Sequence, residues 1–171
     1  MIQKITITLA ALARSLFRLS RRATFNPRRI AVAQMGRLGD MVCTTPVFRA
    51  LKEKYPNCEL IVIGMPGNSA LIKDHPYVEQ YYSYFGNAWE LAGFLTKKEI
   101  DAAILCGPHG LVLGAMLAAK IPLIIAPKVI GGESPYETKI YKLLRRFVVT
   151  KPHDMLKYAP REYLRLLEPL G

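Results

Sequence analysis

A chain of 171 residues fits one domain of ordinary size and leaves little room for a second, and with 51% apolar residues it can bury a real core. That composition excludes a disordered chain. The net charge of +11 is concentrated at one end, because Lys4, Arg14, Arg18, Arg21, Arg22, Arg28, Arg29 and Arg37 all precede the first acid, Asp40. Cys43, Cys58 and Cys106 are odd in number, far apart and without C-x-x-C spacing. They argue against a disulfide framework and a zinc site, and fit a reducing, cytoplasmic compartment.

Residues 1–26 read as an amphipathic basic helix. Ile2, Ile5, Leu9, Leu12, Leu16 and Leu19 fall within one arc of roughly 100°, with Lys4, Arg14, Arg18, Arg21 and Arg22 on the other side. The cations interrupt the apolar run well before the ~20 residues a membrane span requires. Ala11-Leu12-Ala13 resembles a signal-peptidase site, but the apolar segment before it is short and an arginine cluster follows, so no secretory signal is expected. The helix either lies in the interface of an anionic membrane or packs its leucine face on the domain; an organellar transit peptide is a third reading.

From residue 27 the pattern alternates. Strands are predicted at 30–33, 59–64, 78–84, 102–106 and 123–125, the first two nearly all apolar, as buried parallel strands are. Helices are predicted at 41–55, 67–73, 87–98, 111–120, 136–147 and 155–170. Repeated βα units predict an α/β fold, a Rossmann-like open parallel sheet with helices on both faces. In such folds ligands sit beyond the carboxyl ends of the strands, which singles out the loops 34–40, 64–68 and 107–110.

The first of these loops carries the chemistry. Gly36 and Gly39 permit a tight turn and close approach to backbone N–H groups, and Asp40 falls in the first turn of a helix, where the dipole favours its anion. A carboxylate base follows from that placement, and so does a plain helix cap. The spacing leaves both readings open, and Gly-x-x-Gly is not the dinucleotide fingerprint. His75, His109 and His153 lie in proline-flanked contexts without metal spacing and read as turn or loop residues; Tyr77, Tyr81, Tyr82 and Tyr84 read as strand residues, and 111–117 as a core helix.

The segment RIAVAQMGRLGDMVCTTPVFRALKEKYPNCELIVIG resembles the N-terminal signature of glycosyltransferase family 9, the lipopolysaccharide heptosyltransferases. Strand, Gly-x-x-Gly-Asp, Thr-Thr-Pro, a helix ending in Tyr-Pro and a second strand follow in that order. The likeness runs on through Gly67-Asn68-Ser69-Ala70-Leu71, His75-Pro76-Tyr77-Val78 and His153-Asp154 to Leu170-Gly171, covering roughly residues 29 to 171.

The resemblance implies that residues 27–171 are the acceptor-side, N-terminal half of a GT-B enzyme whose C-terminal donor-binding domain is missing from this chain. It implies transfer of heptose from ADP-heptose to a lipid A-linked or core oligosaccharide acceptor with inversion, at the inner face of the inner membrane. Asp40 is then the general base, and Gly36, Arg37, Leu38, Gly39, Thr44 and Thr45 are the substrate-binding residues, with neither metal nor organic cofactor. Two positions depart from the family pattern: Gln34 stands where many members have Lys or Arg, and Leu105-Cys106-Gly107-Pro108-His109-Gly110 replaces a more polar loop. Half a cleft is not expected to turn over unaided. The alternatives are a truncated, non-catalytic Rossmann-like binding domain at the membrane surface and, less well supported, a nucleic-acid binder. The latter is disfavoured because the charge is confined to one segment with no recognised motif.

Overall fold

The computed structural model describes residues 26–171; the expected basic helix lies, up to residue 25, outside the described residues. Six strands form one parallel sheet in the order β3-β2-β1-β4-β5-β6. They are β1 (Arg29–Gln34), β2 (Glu59–Gly64), β3 (Gln80–Ser83), β4 (Ala102–Leu105), β5 (Leu123–Gly131) and β6 (Val149–Asp154). The helices are α1 (Leu38–Lys54), α2 (Ser69–Ile72), α3 (Ala88–Lys97), α4 (Gly110–Ala118), α5 (Lys139–Leu144) and α6 (Ala159–Arg165), with 3-10 turns at Pro66–Asn68, Arg145–Phe147 and Glu168–Leu170. None of the described helices is long and apolar enough to cross a membrane.

The central strands are apolar on both faces, and their side chains alternate between two cores. Ala31, Ala33, Ile61, Ile63, Ala103, Leu105 and Ile124 meet α3, α4 and α5 through Leu91, Leu95, Val112, Met116 and Tyr141. Ile30, Val32, Leu60, Val62, Ile104 and Ile125 meet α1, α2 and α6 through Met41, Phe48, Leu51, Ile72 and Tyr163. Helices therefore cover both faces, as expected. The apolar segment 111–117 is core, with Val112 through Leu117 buried in α4.

Several boundaries depart from the sequence expectation. Helix α1 starts three residues early because Asp40 occupies its third position and accepts from the backbone N–H of Arg37 at 2.9 Å. The region 136–147 shortens to α5, capped by Thr138, whose hydroxyl oxygen accepts from the N–H of Tyr141 at 3.2 Å. The expected helix 155–170 reduces to α6 and a 3-10 turn, since the chain turns at Asp154 and Pro160 restarts it.

Strand β6 falls where no strand was expected. Its sequence, VTKPHD, is largely polar and half exposed, and it contains a proline, which an edge strand tolerates. The opposite edge strand, QYYS, is likewise only half-buried. Uniform apolarity holds for the buried centres of β1, β2, β4 and β5 and fails at both edges, as it does in β5 from Pro127 and Lys128 onward.

Candidate active site

Since all six strands run the same way, the loops that follow β1, β2, β4 and β5 gather on one rim. Gln34 ends β1 there and is buried. Its Oε1 accepts from the N–H of Gly36 at 3.0 Å, and its Nε2 donates to the hydroxyl of Thr44 at 3.1 Å. The Thr44 hydroxyl in turn donates to the main-chain carbonyl of Asp40 at 2.8 Å. From the neighbouring loop, the buried Asn68 donates through Nδ2 to the carbonyl of Gly36 at 3.1 Å. The loop 34–40 is thus held from below by Gln34 and Thr44 and from the side by Asn68.

Asp40 lies on that frame, part-exposed. Its Oδ2 accepts from the N–H of Arg37, so the helix-cap reading is present in the structure. Oδ1 has no hydrogen-bond partner among the described residues, so one carboxylate oxygen of a part-exposed side chain is uncommitted. Gly36 is required by this arrangement rather than by its backbone angles: a Cβ there would come within 2.3 Å of Asp40 Oδ2 and 2.5 Å of its Cβ. At Gly39 a Cβ would meet nothing within 4 Å.

The Thr-Thr-Pro run has an internal explanation. Pro46 sits inside α1 and has no N–H for the carbonyl of Val42; the Thr45 hydroxyl donates to that carbonyl instead, at 2.9 Å. Thr44 is fully buried and committed to Gln34 and Asp40. These bonds hold the loop. Arg37 and Leu38 are exposed at the start of α1, Leu38 by 53%.

Tyr163 of α6 closes the floor beside Gln34, Asp40, Cys43 and Cys106; burial above all raises its hydroxyl pKa beyond the ordinary phenol range. Burial also pushes the Cys106 thiol up to about 12, so it is an inert filler and not a nucleophile. Gln34, Asn68 and Tyr163 form the part of the site that sequence reasoning assigned no role. Besides its departure from the resembled pattern, a polar residue closing an apolar strand at the ligand-binding end is a signal that could point to Gln34.

The histidines divide. His109 caps α4, its Nδ1 accepting from the N–H of Val112 at 3.3 Å, and its ring meets Tyr84 edge-on at 5.9 Å and stacks on Tyr136 at 6.2 Å. His75 lies edge-on to Phe48 at 5.4 Å in the turn before β3. His153 departs from the turn reading: it is a buried β6 residue stacked 5.4 Å from the Tyr163 ring. Desolvation lowers the pKa of all three, which favours the neutral ring. Tyr81 and Tyr82 lie in β3, with Tyr77 and Tyr84 flanking it.

No protein-family profile matches the sequence, and no curated protein matches it. Solved structures do. A glycosyl transferase family 9 structure from Veillonella parvula superposes with a TM-score of 0.67 at 18% identity, over 84% of this chain and 41% of the other. The ADP-heptose lps heptosyltransferase II of E. coli gives 0.62 at 20% identity, over 81% and 39%. The E. coli heptosyltransferase WaaC with ADP gives 0.64 at 14% identity, over 84% and 48%. The chain has the family 9 glycosyltransferase fold. It spans less than half the length of each of these structures, so what it shares with them is one Rossmann-like unit of a GT-B architecture. Within the family 9 fold, this chain's rim combines the Gln34 frame with the aromatic group of Tyr84, His109 and Tyr136.

Proposed function

We propose that the chain is the acceptor-side half of an inverting glycosyltransferase, with Asp40 as the general base that takes the proton of the attacking acceptor hydroxyl. The observation that carries the reading is the division of labour on one carboxylate: Oδ2 is held by the Arg37 N–H while Oδ1, on a braced loop at the ligand-binding rim, has no hydrogen-bond partner among the described residues. Fixing one oxygen orients the other, and orientation is what proton transfer requires. The donor is a nucleotide sugar, ADP-heptose, and the acceptor a lipid A-linked or core oligosaccharide at the inner-membrane face.

Gly36, Arg37, Leu38 and Gly39 line the approach. The open space over Gly39 lets a sugar reach the first turn of α1, where N–H groups without helical partners and the Arg37 guanidinium favour anionic oxygens. Thr44 and Thr45 act from inside, keeping the Asp40 turn and the proline-containing helix in register. Charge on the departing diphosphate is met by such donors together with those of a second lobe.

The test is Asp40→Asn in a protein that joins this chain to a donor-binding lobe, assayed for transfer from ADP-heptose. Transfer is expected to fall roughly 100- to 10,000-fold with thermal unfolding and donor binding unchanged; activity within a few-fold of the parent overturns the base assignment. Since the chain spans less than half of the family 9 structures, a second reading is a non-catalytic binding domain. Transfer activity by the 171-residue chain alone eliminates it.

A further inference from the structure

The β5–β6 pair runs on past the rest of the sheet. Pairing of β5 with β4 stops at Ile125, whereas pairing with β6 continues to Gly131 and Asp154. At the far end the chain makes a tight turn whose N–H groups from Asp154 to Lys157 are all bonded. The Met155 N–H donates to the carbonyl of Gly131 at 2.9 Å, that of Leu156 to Asp154 Oδ1 at 3.0 Å, and that of Asp154 to Glu162 Oε2 at 2.8 Å. Gly132, at a φ of +73°, passes beneath Met155 and Leu156; a Cβ on it would lie 3.0 Å from Met155 Cβ and 3.4 Å from Leu156 Cδ2.

This rigid tip presents apolar side chains to solvent. Leu156 is 81% exposed, Tyr158 75%, Ile130 58% and Met155 42%. Exposed apolar side chains gathered on one bonded turn are the kind of patch that marks an interaction site. Cations flank it. Lys128 is exposed on β5, and neither it nor Arg161 has a carboxylate within 4 Å among the described residues, while Lys157 lies 3.6 Å from Asp154. A cavity of about 500 Å³ opens beside the tip, lined by Lys157, Tyr158, Arg161, Glu162 and Arg165. Glu162 is almost fully buried and turned toward Asp154 and Arg165, so the mouth of the cavity is cationic. Glu133, exposed on the adjoining loop, is the opposing charge.

We propose that this tip docks on an anionic phospholipid bilayer, with Ile130, Met155, Leu156 and Tyr158 in the interfacial layer and a lipid phosphate in the Lys157–Arg161 cavity. Apolar and aromatic side chains ringed by cations match the layered chemistry of such a surface, where a few buried side chains and a few lysines or arginines together give reversible binding. A soluble phosphate would use the cavity and leave the four apolar side chains without purpose. The tip lies on the rim that carries Asp40, so docking there sets the loop 34–40 toward the surface that bears a lipid-linked acceptor. The docking itself does not depend on Asp40 being a base.

The experiment uses the full chain and its single tryptophan, Trp89. In the double variant Trp89→Phe/Leu156→Trp, the indole reports on the tip itself, independent of how residues 1–25 behave. Vesicles containing phosphatidylglycerol should shift its emission to the blue, acyl-brominated lipid should quench it, and pure phosphatidylcholine vesicles should do neither. Adding Lys157→Glu and Arg161→Glu should weaken vesicle partitioning roughly 20-fold or more. An unshifted indole on vesicle-bound protein overturns the proposal, as does an equal shift on phosphatidylcholine. So does a shift that follows protein concentration without lipid, which means a second copy, or one produced by soluble polyglutamate and not by vesicles, which means an acidic protein.

Discussion

The β1–α1 loop and the β5–β6 tip share a rim and are built in opposite ways. In the loop, small polar groups are buried and joined to one another: Gln34 to Thr44 and Gly36, Thr44 to Asp40, Asn68 to Gly36. In the tip, large apolar groups stand in solvent while only the backbone is bonded inward. Buried polar partners in a low dielectric hold atoms to a fixed position, which suits a single reactive oxygen. Exposed apolar atoms gain nothing from position within the fold and everything from removal from water. The first plan suits a positioned reactive group and the second suits a contact surface.

Substitutions can break that contrast, and the steric one should act most strongly. Gly36→Ala forces a Cβ against Asp40 Oδ2 at 2.3 Å and, less escapably, against its Cβ at 2.5 Å. The expected cost is toward the top of the roughly 1–3 kcal/mol typical of overpacking, visible as a lowered denaturation midpoint with an unchanged slope. A midpoint equal to the parent's would mean that the loop is not held as described. Thr44→Val keeps the shape and removes both hydrogen bonds, leaving Gln34 Nε2 and the Asp40 carbonyl short of a partner; about 1–2 kcal/mol is expected by the same measurement. Leu156→Ser at the tip should change stability by no more than about 0.5 kcal/mol, since Leu156 has little contact to lose. A larger loss in urea titration would show the tip to be part of the core after all.

The same contrast explains what was legible in the sequence. The inner strands β1, β2 and β4 and the helices α3 and α4 follow from continuous apolar runs bounded by caps such as Asn87, whose Oδ1 accepts from Trp89 and Glu90. Strand β6 was illegible because edge pairing asks only for backbone groups, and Thr150, Lys151 and Pro152 carry no burial pattern. In the site, the loop and its aspartate could be found from spacing, but the brace could not: Gln34 and Thr44 are ten positions apart on different elements, and Asn68 comes from another loop. The two readings of Asp40 that the sequence leaves open, cap and base, are not rivals in three dimensions. One oxygen serves the first, and the other is available for the second.

Gln34 has a last consequence, for what this chain tolerates by substitution. The position requires an acceptor toward Gly36 and a donor toward Thr44 on the two arms of one planar fork. Glutamate offers no donor, and lysine or arginine no acceptor, so either exchange orphans a buried group. Position 34 in this chain is therefore a neutral hinge pin, and the nearby cation Arg37 stands outside it, exposed at the start of α1. A graft of arginine at 34 is expected to need a redrawn loop to go with it.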